Sequence, residues 1–298
     1  MPNIILECKN LYKEINDKEI LTNINLKLEE KDILGLIGPN GSGKTTTIKT
    51  ILSLQKITKG EIFIDNHNIK TDYKNAISQV GAIIENPDLY TYLTGLENLL
   101  IPATIYNINK ERIEEVINLV GLSQRINDKV SKYSLGMKQR LGIAQAIIHK
   151  PKLLILDEPT NGLDPEGIKE LRSLLLKLKE QENMTILISS HNLKELETIC
   201  NKIAIIKQGK ILSINDINIL TKKNNNYIFE LDTIKINNIL DNYKIINNNM
   251  IELSIEKNDI PKIVKKLTNN NIKIYMIKEK SLTLEEAYLL KTEGNAIE

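Results

Sequence analysis

The stretch GPNGSGKT, residues 38–45, constrains this chain more than any other feature of its sequence. It fits the pattern G-x-x-x-x-G-K-[ST], follows an apolar run at residues 33–37, and precedes a helix-like segment at residues 46–54. Glycines let a loop wrap phosphate groups with its backbone N–H donors, and the start of the following helix adds partial positive charge. We expect Lys44 to neutralise the β- and γ-phosphates of a nucleotide and Thr45 to bind Mg²⁺. The residues predicted to contact the nucleotide are Gly38, Pro39, Asn40, Gly41, Ser42, Gly43, Lys44, Thr45 and Thr46.

Acidic and imidazole side chains follow two later strands of the predicted sheet. Residues 153–156 and 186–188 are uninterrupted apolar runs, which are typical of central strands in a parallel sheet covered on both faces. Asp157 and Glu158 follow the first run, and His191 follows the second. Ligands of open parallel sheets bind at the carboxyl ends of the strands. We therefore expect Asp157 to hold Mg²⁺ through water and Glu158 to orient or deprotonate the water that attacks the γ-phosphate. His191 is expected beside the same phosphates.

The remaining patterns indicate an α/β protein with two domains. Residues up to about 30 alternate between apolar and polar, which is typical of half-buried antiparallel strands. Residues 88–150 are mainly helical, and Thr94 and Glu97 have the spacing of a capping box. The sequence therefore predicts a first domain over residues 1–215, with a helical subdomain at about 88–150.

Residues 216–298 have a different pattern and form the predicted second domain. Strand-like and helix-like segments follow one another there in the order β-α-β-β-α-β, which is the small α+β arrangement called ferredoxin-like. A last helix is predicted to start near Thr283, where Glu286 completes another capping box.

Composition narrows the class of partner. The chain has 298 residues and a formal net charge of +2 at pH 7, from 40 Lys and Arg against 38 Asp and Glu. This balance shows no basic footprint for DNA or RNA, so we expect no nucleic acid partner. Cys8 and Cys200 are far apart, which fits a reducing compartment and argues against a zinc site or a disulfide framework. The sequence predicts neither a signal peptide nor a membrane span, because no apolar run approaches about 18 residues.

The segment YSLGMKQR, residues 133–140, begins a helix in an unusual way. Ser134 is suited to the N-cap position, but Gly136 in the first turn weakens a helix by roughly 1 kcal/mol relative to alanine. Helix stability therefore does not explain this glycine. The bare helix start offers N–H groups and partial positive charge to a group that it must contact.

In their order along the chain, these motifs resemble those of the nucleotide-binding subunit of an ATP-binding-cassette (ABC) transporter, a P-loop NTPase, over residues 3–215. In that family the phosphate-binding loop is called Walker A, the segment that ends with Asp157 and Glu158 is Walker B, and His191 is the switch histidine. The D-loop matches residues 161–164 and ends at Asp164. The signature motif matches Ser134, Leu135, Gly136 and Met137.

The resemblance implies a fold, cofactors and partners. A mixed sheet core, an antiparallel β subdomain and a helical subdomain are expected, with ATP and Mg²⁺ as cofactors. In this family two cassettes close head to tail, so that the signature of one covers the ATP held by the Walker A loop of the other. This chain has one copy of each motif, so hydrolysis requires a second copy of the chain or a homologous partner, and a second copy is the simpler expectation. A separate integral membrane permease is also implied, with this chain at the cytoplasmic face of the cell membrane.

Three motifs depart from the pattern of the family. Glu85 replaces the usual Q-loop glutamine, and its carboxylate could still bind Mg²⁺. The signature reads Ser-Leu-Gly-Met where the common form is Ser-Gly-Gly-Gln. Ile15 stands where an aromatic ring usually stacks on adenine, and Tyr12 falls on the opposite face of a strand. Weaker discrimination between ATP and GTP is therefore expected.

Glu85 together with this signature is similar to the subunits of lantibiotic-immunity and bacitracin-resistance exporters, which pair with ABC-2 type permeases and expel antimicrobial peptides from the bacterial membrane. A general multidrug exporter is the alternative, and the carboxyl-terminal extension that ends with residues 281–287 resembles the tail domain of drug-efflux ATPases. A soluble cassette acting on DNA or ribosomes is disfavoured, because the long inserted coiled coils or second cassette of those classes are missing. A regulatory module without ATPase activity is opposed by the intact Lys44, Glu158 and His191.

Overall fold

The structure is a computed structural model, and it describes residues 3–217, 226–234, 236, 239–280 and 285–286. The chain divides into two compact units, residues 1–217 and residues 218–298.

Strands and helices are mixed along the whole of the first unit. In chain order its elements are β1 (Ile4–Ile15), β2 (Lys18–Glu29), β3 (Ile33–Ile37), α1 (Lys44–Ile51), β4 (Lys59–Ile64), β5 (His67–Asn68), α2 (Tyr73–Ser78), β6 (Val80–Ile83), α3 (Gly95–Ile105), α4 (Lys110–Leu119), α5 (Leu135–Ile147), β7 (Leu153–Asp157), α6 (Pro165–Gln181), β8 (Thr185–Ser190), α7 (Leu193–Ile199), β9 (Lys202–Lys207) and β10 (Lys210–Asp216). A short 3-10 turn, Val130–Lys132, lies just before α5.

Two sheets form the framework of this unit. One is antiparallel, with the strand order β2-β1-β4-β5. The other is a mixed six-stranded sheet in the order β10-β9-β3-β8-β7-β6, in which only the β10–β9 pair is antiparallel. Every residue of β3, β7 and β8 is buried, which agrees with their continuous apolar sequence. The predicted mixed sheet core and antiparallel β subdomain are confirmed.

Helices α3, α4 and α5 lie between β6 and β7 in the sequence and form the predicted helical region. The Thr94–Glu97 capping box is present at the start of α3, and Ser134 caps α5 as predicted. Asn109 caps α4 by accepting a hydrogen bond from the backbone N–H of Arg112. Within the part of the chain that the structure describes, no helix is both long enough and apolar enough to cross a membrane.

The backbone of α5 lies directly against β6. A Cβ atom at Gly81 would stand 2.1 Å from the carbonyl oxygen of Ala146, so only glycine permits this approach. On the same helix, a Cβ atom at Gly142 would stand 2.4 Å from Cβ of Pro87. Because α5 begins at the signature residues, these two close approaches determine where the signature lies relative to the sheet.

The second unit contains a four-stranded antiparallel sheet and a helix. Its elements are β11 (Asn226–Leu231), β12 (Tyr243–Ile245), β13 (Met250–Ser254), α8 (Ile260–Asn269) and β14 (Ile274–Glu279). The strand order is β12-β13-β11-β14, so the first and third strands are central, as in a ferredoxin-like unit. A short 3-10 turn, Lys257–Asp259, precedes the helix, and Phe229, Ile251 and Leu267 belong to the core.

Two predictions for this unit fall on positions that the structure does not describe. The helix expected between β11 and β12 includes residues 235, 237 and 238, which lie outside the described residues. The last helix from Thr283, its capping box and most of the segment 281–287 also lie outside them.

Replacing Gly81 by alanine is expected to lower the free energy of unfolding by about 1–3 kcal/mol, the usual cost of overpacking a core. The added methyl group would force α5 away from β6, because a backbone carbonyl cannot yield as a flexible side chain does. Denaturant-induced unfolding measures the change. Ala82→Ser is the matched control, since Ala82 is the next residue of β6 and is exposed. Equal unfolding midpoints for Gly81→Ala and the parent protein would contradict this account of the packing.

Candidate active site

The loop between β3 and α1 folds back on itself in a way that only glycine easily allows. Gly43, the N-cap of α1, has a φ of +107°, a left-handed conformation that disfavours other residues. The next side chain, Lys44, turns back over the loop and donates a hydrogen bond from Nζ to the carbonyl oxygen of Gly38 at 2.9 Å. Only 6% of Lys44 is exposed, and its Nζ lies 3.4 Å from Oε1 of Glu158. The ammonium group is thus held at the loop by a carbonyl oxygen and a carboxylate.

This loop forms one side of a cavity of about 470 Å³. The cavity gathers residues from Walker A, Walker B, the D-loop and the switch position, although they are far apart in the sequence. Its lining consists of Ile20, Asn40, Gly41, Gly43, Lys44, Thr45, Thr46, Glu158, Asn161 and His191. Gly38, Pro39 and Ser42, which we also predicted as nucleotide contacts, belong to the same loop but are not among the lining residues.

Glu158 connects the two basic side chains of the cavity. Its Oε1 faces Lys44, and its Oε2 is hydrogen-bonded to Nδ1 of His191 at 2.8 Å. Its backbone N–H donates to Oγ of Ser189 at 2.9 Å, and its φ is +50°. A carboxylate held between an ammonium and an imidazole can position a water molecule and accept its proton.

Ser189 is a residue of the candidate site that the sequence analysis did not identify. It pairs with Asp157 across the parallel β7–β8 ladder, and its hydroxyl donates a short hydrogen bond to Oδ1 of Asp157. The same hydroxyl accepts the bond from the backbone N–H of Glu158, so Ser189 holds the carboxylate of Asp157 and the backbone of Glu158. The signal in the sequence was its place at the end of the strand next to β7.

The oxygen atoms near this cavity suit Mg²⁺. Asp157 is 1% exposed, and its Oδ2 is buried without a hydrogen-bond partner in the protein. This oxygen is therefore suited to bind a cation or to accept a hydrogen bond from water. Thr45 contributes a side chain to the cavity lining. Among the described residues, no group of three His, Cys, Asp or Glu side chains could hold a metal ion. Mg²⁺ fits such a sparse set, because it usually retains several waters and binds substrate phosphates.

Glu85 and Ile15 do not line the cavity. Glu85 has a φ of +65° and 68% of its side chain is exposed, and its Oε1 accepts a hydrogen bond from Nζ of Lys49 at 3.3 Å. Its role as a Mg²⁺ ligand stays a prediction. Ile15 is exposed, and the aliphatic side chain of Ile20 lines the cavity instead.

The signature and the D-loop meet at a second cavity, of about 490 Å³. Ser134 caps α5 by accepting a hydrogen bond from the backbone N–H of Met137 at 3.2 Å. Asp164 caps α6 by accepting one from Gly167 at 2.8 Å. The second cavity is lined by Ser134, Leu135, Gly136, Met137, Arg140, Gly162, Leu163, Asp164, Glu166, Gly167 and Glu170. It shares no lining residue with the first cavity.

Packing within the chain does not explain Gly136. A Cβ atom there would have its nearest neighbour, Cα of Gly167, at 3.8 Å, which is an ordinary contact. The glycine keeps the helix start accessible from outside the chain, and the N–H groups of that start can bind an anion.

Comparison with known proteins agrees with these motifs. Residues 21–161 match the family described as ABC transporter. The chain is 41% identical to the ABC transporter ATP-binding protein YhcH of Bacillus subtilis, over 97% of this chain and 96% of that protein. It is 45% identical to the bacitracin transport ATP-binding protein BcrA of Bacillus licheniformis, over 75% and 74% of the two chains. It is 42% identical to the lantibiotic transport ATP-binding protein SrtF of Streptococcus pyogenes, over 70% and 89%.

A solved structure supports the same assignment. The dimeric, post-hydrolysis form of the ATP-binding cassette MJ0796, bound to ADP and Pi, superimposes with a TM-score of 0.63 at 27% identity. The match covers 72% of this chain and 99% of that cassette. Fold, motif order and full-length similarity to YhcH coincide, and this chain therefore belongs to the ABC transporter family as an ATP-binding subunit that hydrolyses ATP.

Proposed function

We propose that two copies of this chain hydrolyse ATP in a head-to-tail dimer and thereby drive a separate membrane permease that exports antimicrobial peptides. The observation that carries this proposal is the separation of the two cavities on one chain. The first has the phosphate loop, Glu158 and His191, and the second has the signature and the D-loop. A nucleotide in the first cavity is covered only when the second cavity of another copy approaches it.

The side chains of the first cavity have distinct roles. Lys44 neutralises the β- and γ-phosphates. Thr45 would hold Mg²⁺ together with Asp157, which does not line the cavity and would act through water. Glu158 positions the attacking water, and His191 fixes the carboxylate of Glu158 through their 2.8 Å hydrogen bond. Bound Mg²⁺ stabilises the negative charge that develops on the phosphate oxygens. Ser134 and the N–H groups near Gly136 of the second copy would contact the γ-phosphate.

A third cavity, of about 550 Å³, offers a docking site for the permease. It lies beside the Q-loop and is bordered by the helical region, and its lining is mainly apolar. Pro87, Pro102 and Tyr106 are examples, and the exposed Leu54 and Tyr73 extend it. We propose that a short apolar segment of the permease binds here at the cytoplasmic face of the membrane. ATP-driven movement of the helical region would then be transmitted through residues 85–99.

The names of two relatives support the choice of substrate. BcrA is a bacitracin transport protein and SrtF is a lantibiotic transport protein, and both exceed 40% identity to this chain. Peptide antibiotics that act at the membrane are therefore the proposed cargo. The permease would contain the cargo contacts, because the three cavities described above belong to nucleotide binding or to docking.

Glu158→Gln is expected to lower the rate of ATP hydrolysis by about a hundredfold or more, the usual contribution of a general base. Binding of a fluorescent ATP analogue should persist, because Lys44 and the loop are unchanged. Steady-state phosphate release from the purified protein measures the rate. Glu180→Gln on the exposed surface of α6 is the control and should behave as the parent protein. Equal turnover by Glu158→Gln and the parent would favour a regulatory module instead.

ATP should convert the Glu158→Gln protein from monomer to dimer, since hydrolysis no longer reopens the complex. Adding Ser134→Arg should abolish this dimer, because a bulky side chain at the start of α5 would collide with the partner's triphosphate. Binding of ATP to the monomer should be retained, as Ser134 does not line the first cavity. Analytical ultracentrifugation distinguishes the two states. A double variant that still dimerises with ATP would refute the composite site.

Expression of this chain with its permease in a sensitive bacterium should raise the minimum inhibitory concentration of bacitracin or of a lantibiotic severalfold. The Glu158→Gln version of the same pair is the control and should give no protection, because export requires hydrolysis. Protection against unrelated small drugs, with none against either peptide class, would favour the general multidrug alternative.

A further inference from the structure

Two arginines join α4 and α5 in a reciprocal way. Arg112, near the start of α4, donates from Nη2 to the carbonyl oxygen of Ile147 at 3.0 Å and from Nε to that of Ile148 at 3.4 Å, at the end of α5. Arg140, in α5, donates from Nη1 to the carbonyl oxygens of Val120 and Gly121, each at 3.2 Å, at the end of α4. Each guanidinium thus satisfies the unpaired carbonyls and complements the negative end of the opposite helix.

The same two arginines reach α6. Arg112 forms a bidentate pair with Glu182, the C-cap of α6, with distances of 3.1 and 2.8 Å. Nη2 of Arg140 lies 3.4 Å from Oε2 of Glu170, a residue closer to the start of α6. Three helices are therefore cross-linked near both ends by residues at positions 112, 140, 170 and 182.

The Arg112 pair is the stronger of the two links. Arg112 is 5% exposed and Glu182 is 13% exposed, so water screens their attraction little. Burial by itself disfavours the charge of Arg112, but the hydrogen bonds that its guanidinium donates to Glu182 and Glu115 outweigh this effect and raise the pKa of Arg112. Glu170 is 47% exposed, and exposed ion pairs contribute little.

The far ends of these helices carry the second cavity. Ser134 caps the start of α5 and Asp164 caps the start of α6, and both line that cavity. Arg112, a residue of α4, contacts the opposite end of α5. The 13 residues of α5 extend roughly 20 Å at about 1.5 Å per residue, so a tilt of about 3° at one end moves the other end by about 1 Å. A displacement of about 1 Å at a reacting site can cost on the order of a hundredfold in rate.

We propose that Arg112 is a positioning residue for ATP hydrolysis, because with Glu182 and Arg140 it makes α4, α5 and α6 one unit that presents the signature and the D-loop together to the nucleotide of a second copy. This inference rests on the proposed composite site. Arg112 touches neither nucleotide nor reacting atoms, and it acts through the orientation of Ser134 and Asp164.

Two variants test the link from both sides. Arg112→Lys keeps the charge but loses the bidentate geometry, and Glu182→Gln keeps the shape but loses the charge. Glu114→Gln is the matched control, because Glu114 lies on the same helix in an exposed pair with Lys110 at 3.8 Å. Each change is made in the parent chain for ATPase assays and in the Glu158→Gln chain for ATP-dependent dimerisation. Binding of a fluorescent ATP analogue to the monomer and thermal unfolding are measured in parallel.

Arg112→Lys and Glu182→Gln should each weaken ATP-dependent dimerisation and lower kcat by about tenfold, while ATP binding to the monomer stays unchanged. Glu114→Gln should match its parent in every assay. A purely structural role would lower the unfolding temperature and leave dimerisation and kcat intact at temperatures where the variants are folded, and that result would overturn the proposal. If either variant does not fold, the other decides.

Failure of the composite site is a separate outcome. The Glu158→Gln chain would then not dimerise with ATP even when Arg112 and Glu182 are intact. The positioning role alone would be overturned if that chain dimerises and the Arg112→Lys and Glu182→Gln versions dimerise with the same affinity.

Discussion

The site depends on the pairing of one buried ammonium group, that of Lys44, at the edge of a parallel sheet. Lys44 is 6% exposed, and burying a charge is costly unless it is paired and hydrogen-bonded. The carbonyl oxygen of Gly38 and the carboxylate of Glu158 supply these partners. Both partners come to Lys44 because β3, β7 and β8 are parallel, so the loops that follow them share one edge. A triphosphate has more negative charge than a carboxylate, so on binding it would displace Glu158 from Lys44. Oε1 of Glu158 would then be released to bind a water molecule.

The architecture that assembles this half of the site keeps the other half away from it. The signature turn starts α5, and Gly81 and Gly142 fix the backbone of that helix against β6 and Pro87. The two cavities consequently share no lining residue, although the proposed mechanism uses side chains from both. Gly136 weakens its helix, and packing within the chain leaves room for a larger side chain at this position. The proposed reason for the glycine is the approach of an anion from another molecule. In the proposed dimer, ATP supplies interactions that neither copy has alone, so that its binding free energy would drive dimer closure.

Sequence reasoning succeeded where the determinants are local. The strand, glycine loop and helix of Walker A, the apolar runs of β7 and β8, and the caps at Thr94 and Ser134 each depend on a few neighbouring residues, and the structure confirms these elements. It failed where a side chain acts across long sequence separations. Ser189 orients Asp157 only through the β7–β8 register, and nothing in the sequence near Arg112 indicates that its partner is Glu182. The position of Ile20 at the cavity likewise follows from how the antiparallel sheet meets the phosphate loop, a relation between elements that periodicity does not specify.

Glu85, at the position of the usual Q-loop glutamine, forms an ion pair that a glutamine could not form. Its carboxylate pairs with Lys49 on α1, the helix that starts at the phosphate loop, so the Q-loop and the nucleotide site are joined by an ion pair. With 68% of Glu85 and 33% of Lys49 exposed, this pair contributes only about 0–1 kcal/mol. A Mg²⁺ ion bound to ATP would offer the carboxylate a far stronger electrostatic partner, and a glutamine could compete for neither the lysine nor the ion with equal strength. The proposed binding of Glu85 to the metal would require breaking only this weak pair, and it would connect nucleotide binding to the segment that borders the proposed docking cavity.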